Sequence, residues 1–329
     1  MICVFGAGAI GCYVGGRLAA GGADVTLVGR ARVMDEVKGG LVLTELDGTV
    51  TKIQVPATTD PSVAKDASVI VVTVKSAATE EAGHTLASIV RDDCAVVSLQ
   101  NGVRNASVLR TAMPGKRVLA GMVMYNVARR AAGEYHRGTI GSLMVEADAA
   151  AEPLLEACRA AKLAIEARDD MPAVQWGKLV MNLNNAINAL SNKPLAQELA
   201  DRDYRRCLAA AMREALALLR AAKLPVAKLT AVPPSLMPRL LPMPDWLFRR
   251  IAKKMIGIDP HARSSMADDF AANRPTEVDY IQGEVVALAT RLGRPAPVNA
   301  KLVELVHAAE SGGTREWSSG ELATVLGLG

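Results

Sequence analysis

The chain has 329 residues, which exceeds the usual size of one hydrophobic core, so two domains are expected. Half of the residues are hydrophobic, but only 3% are aromatic, which argues against the stacking platforms of single-stranded nucleic-acid binders. The net charge of +4 is mild and is not concentrated in a basic arm, so no nucleic-acid partner is expected.

The cysteines and the N-terminus predict a cytoplasmic protein without a metal site. Five cysteines are scattered without metal-ligand spacing, a pattern that favours reduced thiols over a disulfide framework. The apolar N-terminus lacks the basic region of a signal peptide. No run of about 18 apolar residues predicts a membrane span.

The first predicted strand, residues 1–5, leads directly into the pattern Gly-x-Gly-x-x-Gly. A helix over 13–20, a Gly-Gly stop and a second strand over 24–28 follow in the order of a Rossmann βαβ unit. There the glycines permit the turn, admit the pyrophosphate and allow close packing, and amides at the helix start bind the pyrophosphate. This order disfavours the alternative, a glycine-rich turn that binds no nucleotide. The predicted cofactor-binding residues are Gly6, Gly8, Ala9, Ile10 and Gly11.

The end of the second strand predicts which dinucleotide binds. NAD-binding proteins place an acidic residue about 20 positions after the glycines, where it binds the adenine ribose. This chain has Arg30 there, followed by Arg32. Because a guanidinium binds the 2′-phosphate that a carboxylate would repel, we predict NADP(H) as the cofactor and Arg30 as its contact. The alternative is a solvated surface charge.

Strand-like and helical patterns alternate through the first half of the chain. Asp47-Gly48 predicts a hairpin between strands 41–44 and 50–55. Continuous apolar runs predict strands that are buried on both faces of a parallel sheet. The further predicted strands span residues 68–74, 94–99, 118–125 and 139–146.

The pattern becomes helical near residue 168 and stays helical to the end, with connections rich in proline and glycine. The predicted fold class is therefore α/β. An N-terminal, doubly wound Rossmann-type domain that binds NADP is expected over residues 1–168. An all-helical substrate and catalytic domain is expected over residues 169–329.

Two polar segments follow predicted strands, at the end of a parallel sheet where ligands bind. Lys75 follows the run 68–74, and Asn101 follows the run 94–99. Lys75 can bind the nicotinamide ribose or a substrate anion, and Asn101 can bind substrate or the cofactor amide. The alternatives are a lysine that only reaches into solvent and an asparagine that only forms a turn.

A predicted helix begins at Asp170, with Pro172 in its first turn. At about 100° per residue, Lys178, Asn182 and Asn185 lie within one narrow sector of this otherwise apolar helix. An ammonium beside a carbonyl can stabilise the oxygen while hydride arrives and then give it a proton. The alternative is a polar stripe on the surface.

Two further predicted helix starts contain polar residues. Ser265 lies in Arg263-Ser-Ser-Met, and Glu277 lies in Pro275-Thr-Glu-Val. Both have a structural alternative, because serine is a common N-cap and a first-turn carboxylate is stabilised by the helix dipole.

Along its whole length the chain resembles the ketopantoate reductase (2-dehydropantoate 2-reductase) family. The resemblance implies a Rossmann domain, a helical C-terminal domain and a cleft between them. It also implies NADPH-dependent reduction of a 2-oxo acid in pantothenate and coenzyme A biosynthesis. The matching segments are the glycine fingerprint with Arg30, Thr73-Val-Lys75-Ser, Leu99-Gln-Asn101-Gly, Trp176-Gly-Lys178-x-x-x-Asn182, Arg263-Ser-Ser265-Met and Thr276-Glu277-Val-Asp279.

The resemblance further implies a role for each candidate residue. It makes Lys178 the general acid and Glu277 a catalytic partner of the lysine and of a substrate hydroxyl. The implied substrate-binding residues are Lys75, Asn101, Asn182 and Ser265, of which Lys75 and Asn101 also lie near the cofactor.

The chain departs from the family pattern at two positions on the substrate side. A second asparagine is expected where this chain has Ala186, and Asn185 or Asn188 is the candidate substitute. Members can also have an asparagine three residues before the site serine, where this chain has Ala262. These departures leave open a paralogue that acts on another small 2-oxo acid. A protein that senses NADP(H) without turnover is a further alternative. The presence of both Lys178 and Glu277 speaks against it, because a sensor needs no proton donor.

The stretch 232–259 is longer than a compact member of the family needs. Within 245–256, apolar and basic residues form two separate stripes of a predicted helix. We expect this helix to pack beside the cleft or at a subunit contact of a homodimer. The alternative is a helix that lies on a membrane surface.

Overall fold

The computed structural model describes residues 1–252 and 262–329. The second part of the predicted amphipathic stretch, from residue 253 onward, lies outside the described residues. The chain divides into two compact units, Met1–Met171 and Pro172–Gly329. The first unit is built on β-sheets, and the second is helical.

The first unit combines two sheets with short helices. Its helices are α1 (Ala9–Ala20), α2 (Ala31–Val37), α3 (Thr79–Ala87), α4 (Asn105–Ala112) and α5 (Glu152–Ala160), with 3-10 helices at Pro61–Asp66, Ser76–Ala78 and Ala149–Ala151. Its strands are β1 (Ile2–Phe5), β2 (Val25–Val28), β3 (Leu41–Thr44), β4 (Val50–Ile53), β5 (Ala57–Thr58), β6 (Val69–Val72), β7 (Ala95–Ser98), β8 (Arg117–Val123), β9 (Val127–Ala131), β10 (Glu134–Arg137), β11 (Leu143–Glu146) and β12 (Ile165–Arg168).

Within the described residues, the larger sheet has the order β12-β11-β8-β7-β6-β1-β2-β5. The strands from β5 to β8 pair in parallel, and β11 is antiparallel to β8. Strands β6 and β7 are buried along their whole length, as their apolar runs predict. The chain order reverses at β1 and β6, the arrangement that marks ligand binding in doubly wound sheets. The predicted Rossmann-type fold is confirmed.

A smaller sheet has the order β4-β3-β10-β9. The predicted hairpin is confirmed: β3 and β4 are antiparallel, and Gly48 adopts a φ of +83° in the turn. The predicted strand over 139–146 is wrong in its first half, because β11 begins only at Leu143. The Arg137 guanidinium donates to the carbonyl oxygens of Thr139 and Gly141, which holds that segment as a loop.

The second unit is all-helical among its described residues, as predicted. No helix in the described ranges 1–252 and 262–329 is long and apolar enough to cross a membrane. The helices are α6 (Met171–Asn182), α7 (Asn184–Ser191), α8 (Leu195–Ala200), α9 (Arg202–Ala221), α10 (Met237–Leu240), α11 (Asp245–Ala252), α12 (Ser265–Ala271), α13 (Val278–Leu292), α14 (Pro297–Glu310) and α15 (Ser319–Val325).

The expectation of one continuous helix from Asp170 through Asn185 is wrong. The helix α6 ends at Asn182, and α7 begins after a single intervening residue, Leu183. The Leu183 carbonyl oxygen accepts a hydrogen bond of 2.8 Å from the Nε2 atom of Gln282, which is fully buried on α13. Because this side chain satisfies a carbonyl at the helix end, the break is stable inside the protein.

Candidate active site

Two glycines of the fingerprint are required by packing. Gly6 has a φ of +107°, and a Cβ atom there would lie 2.5 Å from the Val74 backbone nitrogen. A Cβ atom at Gly11 would lie 2.5 Å from the Gly6 carbonyl oxygen. The Thr73 hydroxyl donates to that same oxygen at 2.6 Å. The turn between β1 and α1 is therefore locked onto the segment that follows β6.

Gly8 differs from these two because its surroundings are open. A Cβ atom there would have no closer neighbour than the Gly6 carbonyl oxygen at 4.0 Å. Gly8 is also the N-cap of α1, and no side chain caps this helix. The backbone N–H groups of the first turn therefore remain available to an anion. The open space and these donors fit a dinucleotide pyrophosphate.

The strand register brings the predicted cofactor residues to one edge of the sheet. Phe5 pairs with both Val28 and Val72, and Val72 pairs with Ser98, so β1, β2, β6 and β7 end side by side. Each strand end is followed by a predicted cofactor-binding segment: the glycine fingerprint follows β1, Arg30 follows β2, Lys75 follows β6 and Asn101 follows β7. One edge of the first unit thus carries every cofactor residue that the sequence predicts.

The segments that contain Lys75 and Asn101 are joined by hydrogen bonds. The Ser76 hydroxyl donates to the Asn101 carbonyl oxygen at 3.2 Å, and the Asn105 Nδ2 atom donates to the same oxygen at 2.5 Å. The Gln100 Nε2 atom donates to the Val74 carbonyl oxygen at 3.0 Å. Sequence reasoning missed Gln100 and Asn105 as supporting residues, although both are buried polar side chains next to a predicted site residue.

The two arginines after β2 have different surroundings. Arg32 forms an ion pair with Glu36 one turn later, with 3.3 Å between its Nε and the carboxylate. Arg30 is exposed at the N-cap position of α2, and within the described residues no ion pair involves it. Of the two guanidinium groups, that of Arg30 is therefore the one left available to pair with a phosphate group of a ligand.

In the second unit, Lys178 is a buried lysine. It lies on α6 and is 7% exposed. Burial disfavours the ammonium and lowers the pKa of Lys178 to about 8. Asn182 lies one turn later on the same helix and is half-buried, whereas Asn185 lies beyond the helix break.

The starts of α12 and α13 carry the other two candidates. Ser264 is the N-cap of α12 and accepts a hydrogen bond of 3.1 Å from the Ala267 backbone nitrogen. The structural alternative for Ser265 is therefore wrong, because Ser265 is the exposed first residue of the helix. Glu277 occupies the N-cap position of α13, one residue before its first turn, and its side chain does not cap the helix.

The backbone around Glu277 is held on both sides. The Glu310 carboxylate accepts a hydrogen bond of 2.8 Å from the Thr276 backbone nitrogen. His307 contacts Glu310 at 2.9 Å and Asp279 at 3.0 Å through its two ring nitrogens. This arrangement restrains the residues before and after Glu277.

The two candidates for the missing second asparagine also differ. Asn188 is fully buried, and its Nδ2 atom donates to the Lys193 carbonyl oxygen and the Glu198 carboxyl group. Its Oδ1 atom accepts from the Ser264 backbone nitrogen. Asn185 is half-buried, and no hydrogen bond of its side chain falls within the described residues. Asn185 is therefore the one whose side-chain amide is not already committed to hydrogen bonds among the described residues.

A doubly wound sheet with an open glycine turn, followed by a helical unit with a buried lysine, is typical of nicotinamide-dependent oxidoreductases. The family model described as ketopantoate reductase PanE/ApbA matches residues 2–149, and its C-terminal counterpart matches residues 170–310. The chain belongs to the ketopantoate reductase PanE/ApbA family. The predicted family and the oxidoreductase class are confirmed.

Individual proteins show the same relationship. The chain is 30% identical to the 2-dehydropantoate 2-reductase of Halobacterium salinarum, covering 95% of this chain and 99% of that protein. Its structure is similar to a PanE/ApbA family ketopantoate reductase from Ralstonia eutropha JMP134, with a TM-score of 0.80 and 28% identity over 95% of this chain and 99% of that chain. D-mandelate dehydrogenase with NADH and anilino(oxo)acetate has a TM-score of 0.78, with 21% identity over 95% of this chain and 99% of that chain, which shows a shared fold.

The open space at Gly8 predicts a selective effect of substitution. We expect Gly8→Ala to weaken binding of a nicotinamide dinucleotide by about tenfold or more, because the methyl group occupies space that the pyrophosphate needs. The melting temperature should stay nearly unchanged. Gly11→Ala is the matched control and should lower the melting temperature, since its Cβ atom would lie 2.5 Å from the Gly6 carbonyl oxygen. Fluorescence titration and thermal unfolding measure both effects, and an equal loss of stability in the two variants would contradict the assignment.

The burial of Lys178 predicts a pH-dependent effect on stability. Its pKa falls from 10.5 to about 8 on folding, so the folded protein binds fewer protons than the unfolded chain between those two values. The contribution of Lys178 to the free energy of unfolding therefore rises as the pH increases from about 8 to 10.5. Below this range the amine is charged in both the folded and the unfolded state, so the folded protein bears the full cost of burying the charge. Lys178→Met should raise the melting temperature at pH 7, with a gain that shrinks towards pH 10. Lys228→Met, at an exposed lysine of the same unit, is the control. A lower melting temperature for Lys178→Met at pH 7 would refute this account.

Proposed function

We propose that the protein is a 2-dehydropantoate 2-reductase, which reduces the C2 carbonyl of ketopantoate with NADPH in pantothenate and coenzyme A biosynthesis. The observation that carries the proposal is the buried Lys178, with a pKa lowered to about 8. A general acid is most effective when its pKa lies near the working pH. Lys178 is thus suited to protonate an alkoxide at neutral pH, and family membership supports the substrate.

The proposed roles divide the reaction among this chain's own residues. When bound, the nicotinamide supplies the hydride. Lys178 stabilises negative charge on the reacting oxygen and then protonates it. Glu277 accepts a hydrogen bond from the distal hydroxyl of the substrate and assists Lys178. The proposed substrate contacts are Lys75, Asn101, Asn182 and Ser265, with Asn185 in place of the missing asparagine.

The cofactor assignment rests on the edge of the larger sheet. Gly6, Gly8, Ala9, Ile10 and Gly11 are proposed to bind the pyrophosphate, with Lys75 and Asn101 near the nicotinamide. Arg30 is proposed to select NADPH by binding the 2′-phosphate. In this scheme residues 1–168 bind NADP and residues 169–329 supply the catalytic groups, in a cytoplasmic protein that forms a homodimer.

A second candidate function is the reduction of another small 2-oxo acid. The observation in its favour is that Ala186 is fully buried and that neither Ala186 nor Ala262 carries a side-chain amide. A substrate pocket with fewer amides has fewer hydrogen bonds for a polar substrate.

The cofactor preference is tested at the two arginines. Arg30→Ala should weaken NADPH binding about tenfold or more, because a charge-assisted hydrogen bond contributes about 1.5–3 kcal/mol, and should leave NADH binding nearly unchanged. Arg32→Ala is the control, since Arg32 is paired with Glu36. Equal losses for both cofactors in Arg30→Ala, measured by titration, would show that this residue does not bind the phosphate.

The substrate is tested with two acids that differ by one hydroxymethyl group. The kcat/KM for ketopantoate should exceed that for 2-oxoisovalerate by at least roughly tenfold, because an analogue without the hydroxyl leaves a charged acceptor unpaired. Glu277→Gln should reduce this difference. The measurement is NADPH oxidation across a panel of 2-oxo acids. Equal rates for the two acids would favour the second candidate, and tight NADPH binding without oxidation of any acid would indicate a sensor.

A further inference from the structure

Glu198 on α8 is fully buried, and no cation of the described ranges 1–252 and 262–329 forms an ion pair with its carboxyl group. Its Oε2 atom accepts hydrogen bonds from the Nδ2 atoms of Asn188 at 2.6 Å and Asn184 at 3.3 Å. Its Oε1 atom has no hydrogen-bond partner among the described residues. Burying an unpaired carboxylate costs more than burying a neutral acid. Accordingly, burial raises the pKa of Glu198 to about 8, and the group is predominantly protonated at neutral pH.

The groups around Glu198 do not offset a negative charge. The preceding helix α7 supplies only the amides of Asn184 and Asn188. On α9, Tyr204 and Cys207 are within electrostatic range, and burial raises the pKa of each to about 12, so both are neutral. The buried Arg205 on α9 is paired with Asp245 of α11 at 2.7 Å. These surroundings favour the neutral acid.

The helices α7 and α8 also hold the segment that precedes Ser265. The Asn188 Oδ1 atom accepts a hydrogen bond of 2.9 Å from the Ser264 backbone nitrogen. The Leu195 backbone nitrogen, at the start of α8, donates to the Ala262 carbonyl oxygen at 2.9 Å. The Ser264 hydroxyl donates to a carbonyl oxygen of α7 at 3.2 Å. A continuous chain of hydrogen bonds thus runs from Glu198 through Asn188 to Ser264.

We propose that Glu198, as a neutral acid, is a positioning residue for substrate binding, because it orients Asn188 and thereby fixes the Ser264 backbone and Ser265. The inference rests on the proposed function, which gives Ser265 its contact with the substrate. Ionisation of Glu198 strengthens the two amide hydrogen bonds at Oε2, but it leaves a buried charge whose Oε1 atom has no donor among the described residues. Water must reach this atom, so α8 has to move away from α7 and the contacts of Asn188 shift with it. The segment from Ala262 to Ser265 then loses its fixed geometry.

Hydrogen exchange in the full chain tests the positioning without any ligand. The probe is the Ser264 amide, after correction for its intrinsic exchange rate at each pH. In the wild type its protection should fall by about tenfold as the pH rises through 8, and Glu198→Gln should keep the protection of the neutral form at every pH. In Glu198→Ala the Ser264 amide should lose its protection even at pH 7. The control is Glu214→Gln, whose carboxylate holds the start of α14 and should leave Ser264 unchanged. A loss of protection in Glu198→Gln at pH 7, or a wild-type profile without pH dependence, would overturn the proposal.

Ligand binding tests the consequence for the substrate. Calorimetry in a Lys178→Met background removes the other group that titrates near pH 8 and prevents turnover. With NADPH present, the Kd of ketopantoate should rise about fivefold or more between pH 7 and 9 in that variant, and should stay flat after Glu198→Gln is added. Identical profiles in the two proteins would overturn the role in substrate binding. If ketopantoate is neither bound nor reduced by the wild type, the proposed function fails, and the exchange measurement still decides whether Glu198 positions Ser264.

Discussion

The parallel register of β1, β2, β6 and β7 is the constraint on which the first unit depends. Because Phe5 lies opposite both Val28 and Val72, the loops after these strands leave the sheet at the same level. A shift of one residue in this register would turn every side chain of a strand to the opposite face. The close contacts of Gly6 and Gly11 with the residues after β6 oppose such a shift. The open turn at Gly8 is therefore a result of strand packing.

The second unit contains two buried ionisable groups, Lys178 and Glu198, that lack an opposite charge among their described contacts. Burial shifts both towards the neutral form, but the two shifts act in different pH ranges. Because the pKa of Glu198 is raised, its contribution to the free energy of unfolding falls as the pH rises from about 4.5 to about 8. The lowered pKa of Lys178 means that stability from that group rises between about 8 and 10.5. Apolar side chains of similar size would avoid both costs, so their presence is better explained by function than by folding.

The sequence predicted those features whose cause is local. The turn at Gly48, the buried strands β6 and β7 and the glycine fingerprint depend on neighbouring residues, and all three could be predicted. The helix break at Leu183 could not, because its carbonyl is satisfied by Gln282, far along the chain. The strands of the smaller sheet beyond the hairpin were missed for a related reason. The strand β9 is rich in exposed residues and is defined by its partner β10.

Glu198 shows why part of the candidate site stayed invisible in the sequence. Nothing in its immediate sequence distinguishes it from a solvated helix carboxylate, and only the fold reveals that it is fully buried. Its two amide partners come from α7, which exists as a separate helix because of the break at Leu183. The same break separates Asn185 from the helix of Lys178, while Asn188 is committed to Glu198 and Ser264. The two positions that depart from the family pattern, Ala186 and Ala262, thus lie on segments that are arranged around this helix break and held by contacts between residues distant in sequence.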